Sequence, residues 1–339
     1  MEDGRVGGVR EFLTPKKDFR VIFFIGKGGV GKTTSAAATA ISLSKLGYRT
    51  LIISIDPAHN LGDVLLSKLE DKPRKIAENL YASELDMEKL IKAYLKRLEE
   101  SMRHMYRYLT VINLEKYFEV LSFSPGIEEY ATLEAIREIL ADGKEWDVII
   151  FDTPPTGLTL RVLALPKISL IWVDKLMDLR RKILERRRAI ANIKGEQEFR
   201  IGEEKFTLPT EEEKDEVMKE LKEYREEVRF VDDIVTDPEV TAVVAVMNPE
   251  MLPLYETERA YESLRKFGVP FNLIVMNKIM RLNVDVPELN VKIKSQEKVM
   301  REVREKFKGV EVVGIPLLPE EPRGLEKLEK VGRLIVERI

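Results

Sequence analysis

Short apolar runs alternate along the chain with longer segments that have helical periodicity. The runs lie at 21–25, 50–55, 148–151, 241–247, 271–276 and 310–315. Runs of this kind, apolar without alternation, are typical of strands buried on both faces of a parallel sheet. Between them, segments such as 32–46 and 324–338 carry apolar residues at helical spacing. The pattern predicts an α/β fold, with a mostly parallel sheet flanked by helices.

Two long segments, 84–140 and 168–235, interrupt this alternation with amphipathic helices. We therefore predict a helical subdomain built from these two segments. The sheet-containing core would comprise 19–83, 141–167 and 236–339, preceded by a loose polar tail at 1–18. Within the second helical segment, the charged and Gly/Pro-interrupted stretch 192–214 is expected to be a mobile connection or a short hairpin.

Apolar residues of the helical segments recur at alternating spacings of three and four. The simplest interpretation is that each helix packs on a neighbouring helix. The alternative, which the sequence leaves open, is a groove for an apolar helix of a partner, because methionine adapts to varied surfaces. The candidate groove residues are Leu95, Leu98, Met102, Met105, Leu176, Met177 and Met218.

Composition narrows the possible classes of site and partner. Of the 339 residues, 44% are hydrophobic and 34% charged, as in a soluble globular protein. A net charge of −3 gives no general attraction to nucleic acid. The absence of Cys excludes disulfides, thiolate metal sites and cysteine nucleophiles. No apolar run reaches the roughly 18 residues of a membrane span, and 1–18 lacks the apolar core of a signal peptide, so we expect a cytoplasmic protein.

The most informative motif follows the first predicted strand and opens the first long helix. It reads Gly26-Lys27-Gly28-Gly29-Val30-Gly31-Lys32-Thr33-Thr34. Strand, glycine-rich turn and helix are the context in which this pattern forms a phosphate-binding loop, so the fold predicted is that of a P-loop NTPase. Lys32 is expected to neutralise β- and γ-phosphate charge, and the Thr33 hydroxyl to bind Mg²⁺. Lys27 is either a second functional cation or a solvated lysine.

Polar residues at the ends of other predicted strands complete the candidate site. Asp56 follows the second strand, and Asp152 ends the strand at 148–151 in a Walker B arrangement. At the carboxyl edge of a parallel sheet, Asp56 can orient the attacking water and Asp152 can hold Mg²⁺. The loop 153–157 is suited to sensing the γ-phosphate through its hydroxyl and amide donors. Asn277, at another strand end, can read a purine edge or be an ordinary turn residue.

Together these motifs resemble those of the arsenical pump-driving ATPases and the GET-type ATPases that target tail-anchored membrane proteins. The matching segments, which span roughly residues 20–335 in order, are Gly26–Thr34, Asp56–Asp63, Asp152–Pro166, Pro249–Arg259, Asn277 and Pro316–Gly324. The resemblance implies an ATPase that uses ATP and Mg²⁺ and works as a nucleotide-gated homodimer. It also implies that Lys27 reaches the partner subunit's nucleotide and that Asp56 is the hydrolytic carboxylate. The nucleoside-binding positions would be Asn277, Pro316 and Glu250, with Glu250 reached from the partner subunit.

The chain departs from the family pattern in ways that bear on function. Relatives often share zinc through a C-x-x-C motif after the position of Asn277, whereas 281–291 here contains no Cys, so we expect no zinc. The favoured hypothesis is targeting of hydrophobic transmembrane segments to a membrane, with a membrane receptor as a possible partner. The alternatives are an ATPase subunit that energises an anion or metalloid pump, and a positioning ATPase related through the same lysine.

Overall fold

The structure is a computed structural model of the chain. It describes residues 8–58, 60–105, 121–122, 124–195, 198–201, 204–280 and 287–337. Two compact units emerge from the contacts. The first contains residues up to Met87, Glu138–Leu163 and Ile234 onward, and the second contains Glu88–Arg137 and Ala164–Asp233. Met105 of the candidate groove lies on a described helix, but its side chain lies outside the described residues.

The first unit is built on an eight-stranded sheet in the order β10-β9-β8-β1-β5-β2-β4-β3. Its neighbours pair in parallel except for β3, which runs antiparallel to β4. The strands are β1 (Arg20–Gly26), β2 (Thr50–Ser54), β3 (Arg74–Ala77), β4 (Leu80–Glu84), β5 (Val148–Asp152), β8 (Thr241–Met247), β9 (Phe271–Ile279) and β10 (Glu311–Pro316). This sheet confirms the predicted fold class. The short pair β3–β4 was missed, because its strands are brief and β3 is charged and largely exposed.

Helices cover this sheet. They are α1 (Arg10–Leu13), α2 (Lys32–Lys45), α3 (Leu61–Leu65), α8 (Met251–Phe267), α9 (Pro287–Lys306) and α10 (Gly324–Val336). Helix α2 is rich in alanine and almost wholly buried, and it packs closely on α10 at Gly332. A Cβ atom at Gly332 would lie 2.1 Å from the Ala38 carbonyl oxygen. Such close contact with the α2 backbone requires glycine, so Gly332 allows α10 to approach α2 this closely.

The segment expected to be a loose tail is packed in its described part, residues 8–18. Val9 and Leu13 are buried in the hydrophobic core of the first unit. The buried Arg20 guanidinium donates to the carbonyl oxygens of Phe12 and Pro238, at 2.9 Å each. The prediction from polar composition was wrong for these residues, because two buried apolar residues and one buried arginine are sufficient to hold the segment against the core.

The second unit takes its residues mainly from four helices and a hairpin. The helices are α4 (Met87–Met105), α5 (Ile127–Ala141), α6 (Thr156–Lys194) and α7 (Glu216–Thr236), and the hairpin pairs β6 (Glu198–Ile201) with β7 (Glu204–Thr207). A short 3₁₀ turn lies at Glu212–Lys214 in this unit, and another at Gly143–Glu145 in the first unit. Helix α6 continues through Pro166 instead of starting near residue 168. Proline fits the helical φ, so it removes one hydrogen bond here without ending the helix.

Candidate nucleotide-binding site

Three neighbouring strands bring the candidate catalytic residues to one edge of the sheet. Strand β5 lies between β1 and β2, and its last residue, Asp152, pairs in register with Phe24 on one side and Ser54 on the other. Because the three strands are parallel, their carboxyl ends meet at the same edge. The loop after β1, Asp56 after β2 and Asp152 are thereby adjacent.

The loop between β1 and α2 has the backbone geometry that its glycines allow. Gly29 and Gly31 have φ values of 79° and 93°, in the left-handed region that favours glycine. A Cβ at Gly31 would lie 2.3 Å from the Asn277 Nδ2 atom, so close approach also requires glycine there. Val30 is buried beneath the loop, and Lys32 begins α2 with its side chain 6% exposed.

Lys32 and Asp56 form an ion pair. Lys32 Nζ lies 3.0 Å from Asp56 Oδ2, and the Asp56 Oδ1 atom accepts a bond from the Ala58 N–H at 3.1 Å. Both carboxylate oxygens are therefore engaged. A phosphate entering the loop would offer Lys32 a competing anion, so binding is expected to loosen Asp56 from Lys32.

Asp152 lies buried behind these residues. Its Oδ2 atom is 3.3 Å from the Ser54 hydroxyl, and its Oδ1 atom is buried without a hydrogen-bond partner. Burial raises the pKa of Asp152 to about 6, although Lys32 and the Thr33 hydroxyl act in the opposite direction. A carboxylate oxygen without a partner, beside a threonine hydroxyl, is the donor set that Mg²⁺ prefers. Asp152 and Thr33 therefore fit a magnesium ion.

The predicted residues surround a cavity of about 760 Å³, within the size range of small-molecule sites. Its lining contains the loop residues Lys27, Gly28, Gly29, Gly31, Lys32, Thr33 and Thr34, together with Asp56, Asn277 and the segment 316–323. Gly26 and Val30, which belong to the same motif, do not line this cavity. A Cβ at Gly26 would lie 2.5 Å from the Val246 carbonyl oxygen, so the loop also packs on the end of β8.

Two residues that the resemblance assigns to the partner subunit's nucleotide have other neighbours within this chain. Glu250 precedes α8 and lines a separate cavity of about 150 Å³, with Lys278 and Leu317 among its neighbours. Lys27 is half-exposed, and its Nζ lies 3.4 Å from Glu256 Oε1 of the same chain. Within one chain, Glu250 is therefore not brought to the phosphate loop, whereas Lys27 pairs with Glu256.

The loop after Asp152 does not offer all the hydroxyl donors expected of it. Thr153 is buried, and its hydroxyl donates to the Phe24 carbonyl oxygen at 2.7 Å. Thr159 is also buried and lies 2.9 Å from the Thr153 hydroxyl. Thr156 already begins α6. Pro155 lines the cavity, so this segment reaches the site through Pro155 and not through Thr153.

One contributor to the site, Lys278, was not predicted as a site residue from the sequence. Lys278 lines the main cavity, and its Nζ donates to the Gly29 carbonyl oxygen at 3.0 Å. The neighbouring Asn277 donates through Nδ2 to the Val30 carbonyl oxygen at 2.8 Å. The available signal was the dipeptide itself, a lysine directly after a strand-end asparagine.

The candidate groove residues do not form one open surface. Leu95 is buried, and Leu98 and Met102 are half-buried. Met177 and Met218 are buried with Val173 in a small core cluster. These positions therefore pack within the second unit, as the simpler interpretation of their spacing proposed. Leu176 differs from them, because its side chain is 46% exposed. Among the described residues, no cluster of three or more His, Asp or Glu side chains could hold a further metal ion.

Comparison with known proteins gives the family. The anion-transporting ATPase family matches residues 19–337. An Aquifex aeolicus protein named as an arsenical pump-driving ATPase is 32% identical over 93% of this chain and 99% of its own length. Proteins named ATPase get3 are similarly close. That of Pyrenophora tritici-repentis is 32% identical over 99% of this chain and 96% of its own, and that of Aspergillus terreus 33% over 96% and 92%.

These matches cover nearly the whole chain, and they agree with a phosphate loop, a strand-end carboxylate and a nucleotide-sized cavity at one sheet edge. The resemblance seen in the sequence motifs is thereby confirmed. This chain belongs to the anion-transporting ATPase family and is an ATP hydrolase.

Proposed function

We propose that this ATPase is a nucleotide-gated homodimer that binds hydrophobic transmembrane helices, such as those of tail-anchored proteins, and delivers them to a membrane. The observation that carries the proposal is an exposed apolar stripe on α6. We define the α6 stripe as Ile168, Ile171, Trp172, Leu176 and Leu179. Their side chains are between 37% and 66% exposed.

The α6 stripe has the geometry of a helix-binding face. Its members recur at spacings of three and four, so they lie along one side of the helix. Large contiguous apolar patches on a charged protein are typical of interaction sites. A partner helix of matching apolar character would cover them by helix-against-helix packing. By length and composition α6 could itself cross a membrane, a test that core helices of soluble proteins also pass.

We assign the main cavity to the nucleotide and give its residues the following roles. Lys32 would bind the β- and γ-phosphates, and Asp56, released from Lys32, would orient the attacking water. Asp152 and Thr33 would hold Mg²⁺, which when bound supplies charge stabilisation to the transferred phosphoryl group. Lys27 would serve the partner subunit's nucleotide, after leaving Glu256. Asn277 and Pro316 would contact the nucleoside, with Glu250 contributing from the partner subunit.

The names of the relatives support a second function, an ATPase subunit of an anion or metalloid pump. Relatives named for arsenical pumps and for get3 are equally similar to this chain, so sequence identity does not separate the two functions. The α6 stripe favours helix binding, because metalloid oxyanions need charged, polar or thiolate ligands and the sequence contains no Cys.

The decisive experiment is co-purification with a tail-anchored transmembrane segment in the presence of ATP and Mg²⁺. Wild type and Asp56→Asn should both capture the segment, whereas Trp172→Asp/Leu176→Asp should lose capture and keep ATPase activity. Leu66→Asp is the control, because it introduces an aspartate at an apolar position of the first unit that is 68% exposed.

Two results would reject helix binding. One is absence of capture by every version while ATP is still hydrolysed. The other is equal capture by the α6 stripe variant and the Leu66→Asp control. Stimulation of ATP hydrolysis by arsenite or another oxyanion, without capture of the segment, would support the pump function instead.

A further inference from the structure

Lys278 has an unusual backbone conformation for its residue type. Its φ is 59°, in the left-handed region, which it shares among the described non-glycine residues with Leu66 and Asn79. This region is unfavourable for a lysine, because Cβ crowds the following carbonyl oxygen. Such conformations persist where the surroundings determine them, and they cluster at ligand sites. Lys278 directly follows Asn277 at the cavity, so its contacts there account for the conformation.

The turn at Lys278 fixes the side chain of Asn277. The Lys278 N–H donates back to Asn277 Oδ1 at 2.9 Å. On its other side, the Asn277 Nδ2 atom donates to the Val30 carbonyl oxygen at 2.8 Å. The amide is therefore held at both ends. One Nδ2 hydrogen and one lone pair on Oδ1 remain for a ligand.

The side chain of Lys278 fixes the phosphate loop. Its Nζ donates to the carbonyl oxygen of Gly29, and the carbonyl of the next residue, Val30, accepts from Asn277. In a planar trans peptide, a carbonyl and the following N–H point in opposite directions. Holding these two carbonyls therefore directs the N–H groups of Val30 and Gly31 away from Lys278 and Asn277. The Val30 N–H lies 3.5 Å from the Lys27 carbonyl oxygen.

The same side chain forms a wall of the nucleotide cavity. Lys278 lines both the main cavity and the smaller one that contains Glu250, Lys292 and Gln296. Since its ammonium is held at Gly29, the alkyl stem extends from the end of β9 to the phosphate loop. Methylene groups of a lysine whose charge is engaged elsewhere offer an apolar surface to a ligand. The stem is placed between the two cavities.

From these contacts we infer that Lys278 is a positioning and specificity residue for the nucleotide. Its ammonium holds the phosphate-loop carbonyl of Gly29, and its stem forms a wall against which the purine base packs. The residue thus couples occupancy of the base site to the geometry of the phosphate site. It differs from Lys32, which would contact the phosphates directly. The inference depends on the proposed assignment of the main cavity to the nucleotide.

The two parts of the side chain can be tested separately with ATP and inorganic tripolyphosphate, which lacks a base. Lys278→Met keeps most of the stem and removes the ammonium, so it should weaken binding of both ligands by about fivefold. Lys278→Ala also removes the stem. Its affinity for tripolyphosphate should equal that of Lys278→Met. Its affinity for ATP should be about fivefold lower than that of Lys278→Met. In steady state, KM should rise more than kcat falls.

Two further variants separate this role from a structural one. Lys278→Gly suits the left-handed backbone, so it should unfold at or above the wild-type temperature while binding both ligands as Lys278→Ala does. Lys292→Met removes a lysine that lines the smaller cavity without lining the main one, and it should match wild type.

The inference is overturned if Lys278→Ala and Lys278→Gly bind ATP and tripolyphosphate like wild type. It is also overturned if Lys278→Met loses ATP affinity and keeps that for tripolyphosphate, because the ammonium would then not act through the phosphate loop. A different result would reject the assignment of the main cavity to the nucleotide: ATP and tripolyphosphate would then not compete with each other for binding to the wild-type protein.

Discussion

The two units differ in what determines the position of their functional residues. In the first unit, candidate site residues follow buried parallel strands, and the register of β1, β5 and β2 fixes where Asp56 and Asp152 lie. In the second unit, the apolar residues lie on amphipathic helices, where spacing alone does not say which face is covered. Met177 is buried while the adjacent Leu176 is exposed. Strand ends can therefore be located from sequence, whereas an open helix face requires the three-dimensional packing.

The largest expected effect tests the strand-end chemistry. Asp56→Asn removes the charge that would orient and accept a proton from water, and it leaves a side chain of the same shape. We expect kcat to fall by about 10²–10⁴-fold. Because Lys32 loses its competing carboxylate, ATP affinity should stay the same or rise. Single-turnover hydrolysis together with equilibrium binding of ATP separates these two quantities.

A matched variant is Asp63→Asn, which changes a carboxylate that also lines the cavity but has no assigned role in water activation. It should lower kcat far less than Asp56→Asn does. Equal losses in the two variants would show that Asp56 acts through the general charge of the cavity and not through a specific contact with water.

The second prediction concerns how the helical unit is held together. Arg180 makes two hydrogen bonds to Asp215, at 2.9 and 2.6 Å, and the Asp215 carboxylate is 1% exposed. Asp215 also accepts from the Met218 N–H at the start of α7. Arg180→Ala would leave a buried carboxylate without its cation, at a cost of about 3 kcal/mol of unfolding free energy. Denaturant unfolding of the full chain measures this value.

Arg181→Ala provides the control, because Arg181 is 42% exposed and pairs with Asp178 and Glu212 near the surface. Its loss should cost about 1 kcal/mol or less. If the two variants were equally stable, the buried pair would contribute no more than a surface pair, and the second unit would depend on its small apolar cluster.

The third prediction tests packing in the first unit. Gly332→Ala places a Cβ atom 2.1 Å from the Ala38 carbonyl oxygen and 2.2 Å from the Ser42 hydroxyl. Helix α10 must then move away from α2, and we expect a loss of about 2 kcal/mol. Thermal unfolding should show a lower Tm. Gly157→Ala is the matched control, since its Cβ would meet no atom within 4 Å on helix α6; its Tm should be unchanged or slightly higher.

The sheet and the phosphate loop could be predicted because each depends on local sequence. An apolar run bounded by a turn residue specifies a buried strand, and the spacing of Gly26, Gly31 and Lys32 specifies the loop. The missed features depend on contacts between distant residues. Lys278 reaches Gly29 across 249 positions of the chain. Arg20 is held by a carbonyl 218 positions away. No local pattern records such pairings.

Of the α6 stripe, only Leu176 was among the groove residues predicted from the sequence. The other predicted groove residues whose side chains the structure describes are buried or half-buried. Burial separates a core seam from an open face, and it depends on which helices pack on each other.

The smallest expected effect concerns Lys27, the cation proposed to connect the nucleotide site of one subunit with its partner subunit. Lys27 is 52% exposed and lies 3.4 Å from Glu256 Oε1, a surface pair worth about 0.5 kcal/mol. If Lys27 must leave Glu256 to act on a partner subunit's nucleotide, Glu256→Gln should favour the active dimer slightly. We expect about a twofold rise in ATP hydrolysis at low protein concentration, where the dimer is scarce. The rise should vanish at high concentration.

Comparing rates across protein concentrations makes this small effect interpretable. Lys27→Met should abolish the gain when combined with Glu256→Gln, because the freed cation is then missing. Glu258→Gln is the matched control, since Glu258 lies on the same helix and pairs with Lys306 instead. A twofold rise at every concentration would mean that Glu256 affects the site within one subunit. Such a result would make Lys27 part of its own chain's nucleotide site and remove the reason to assign it to the partner.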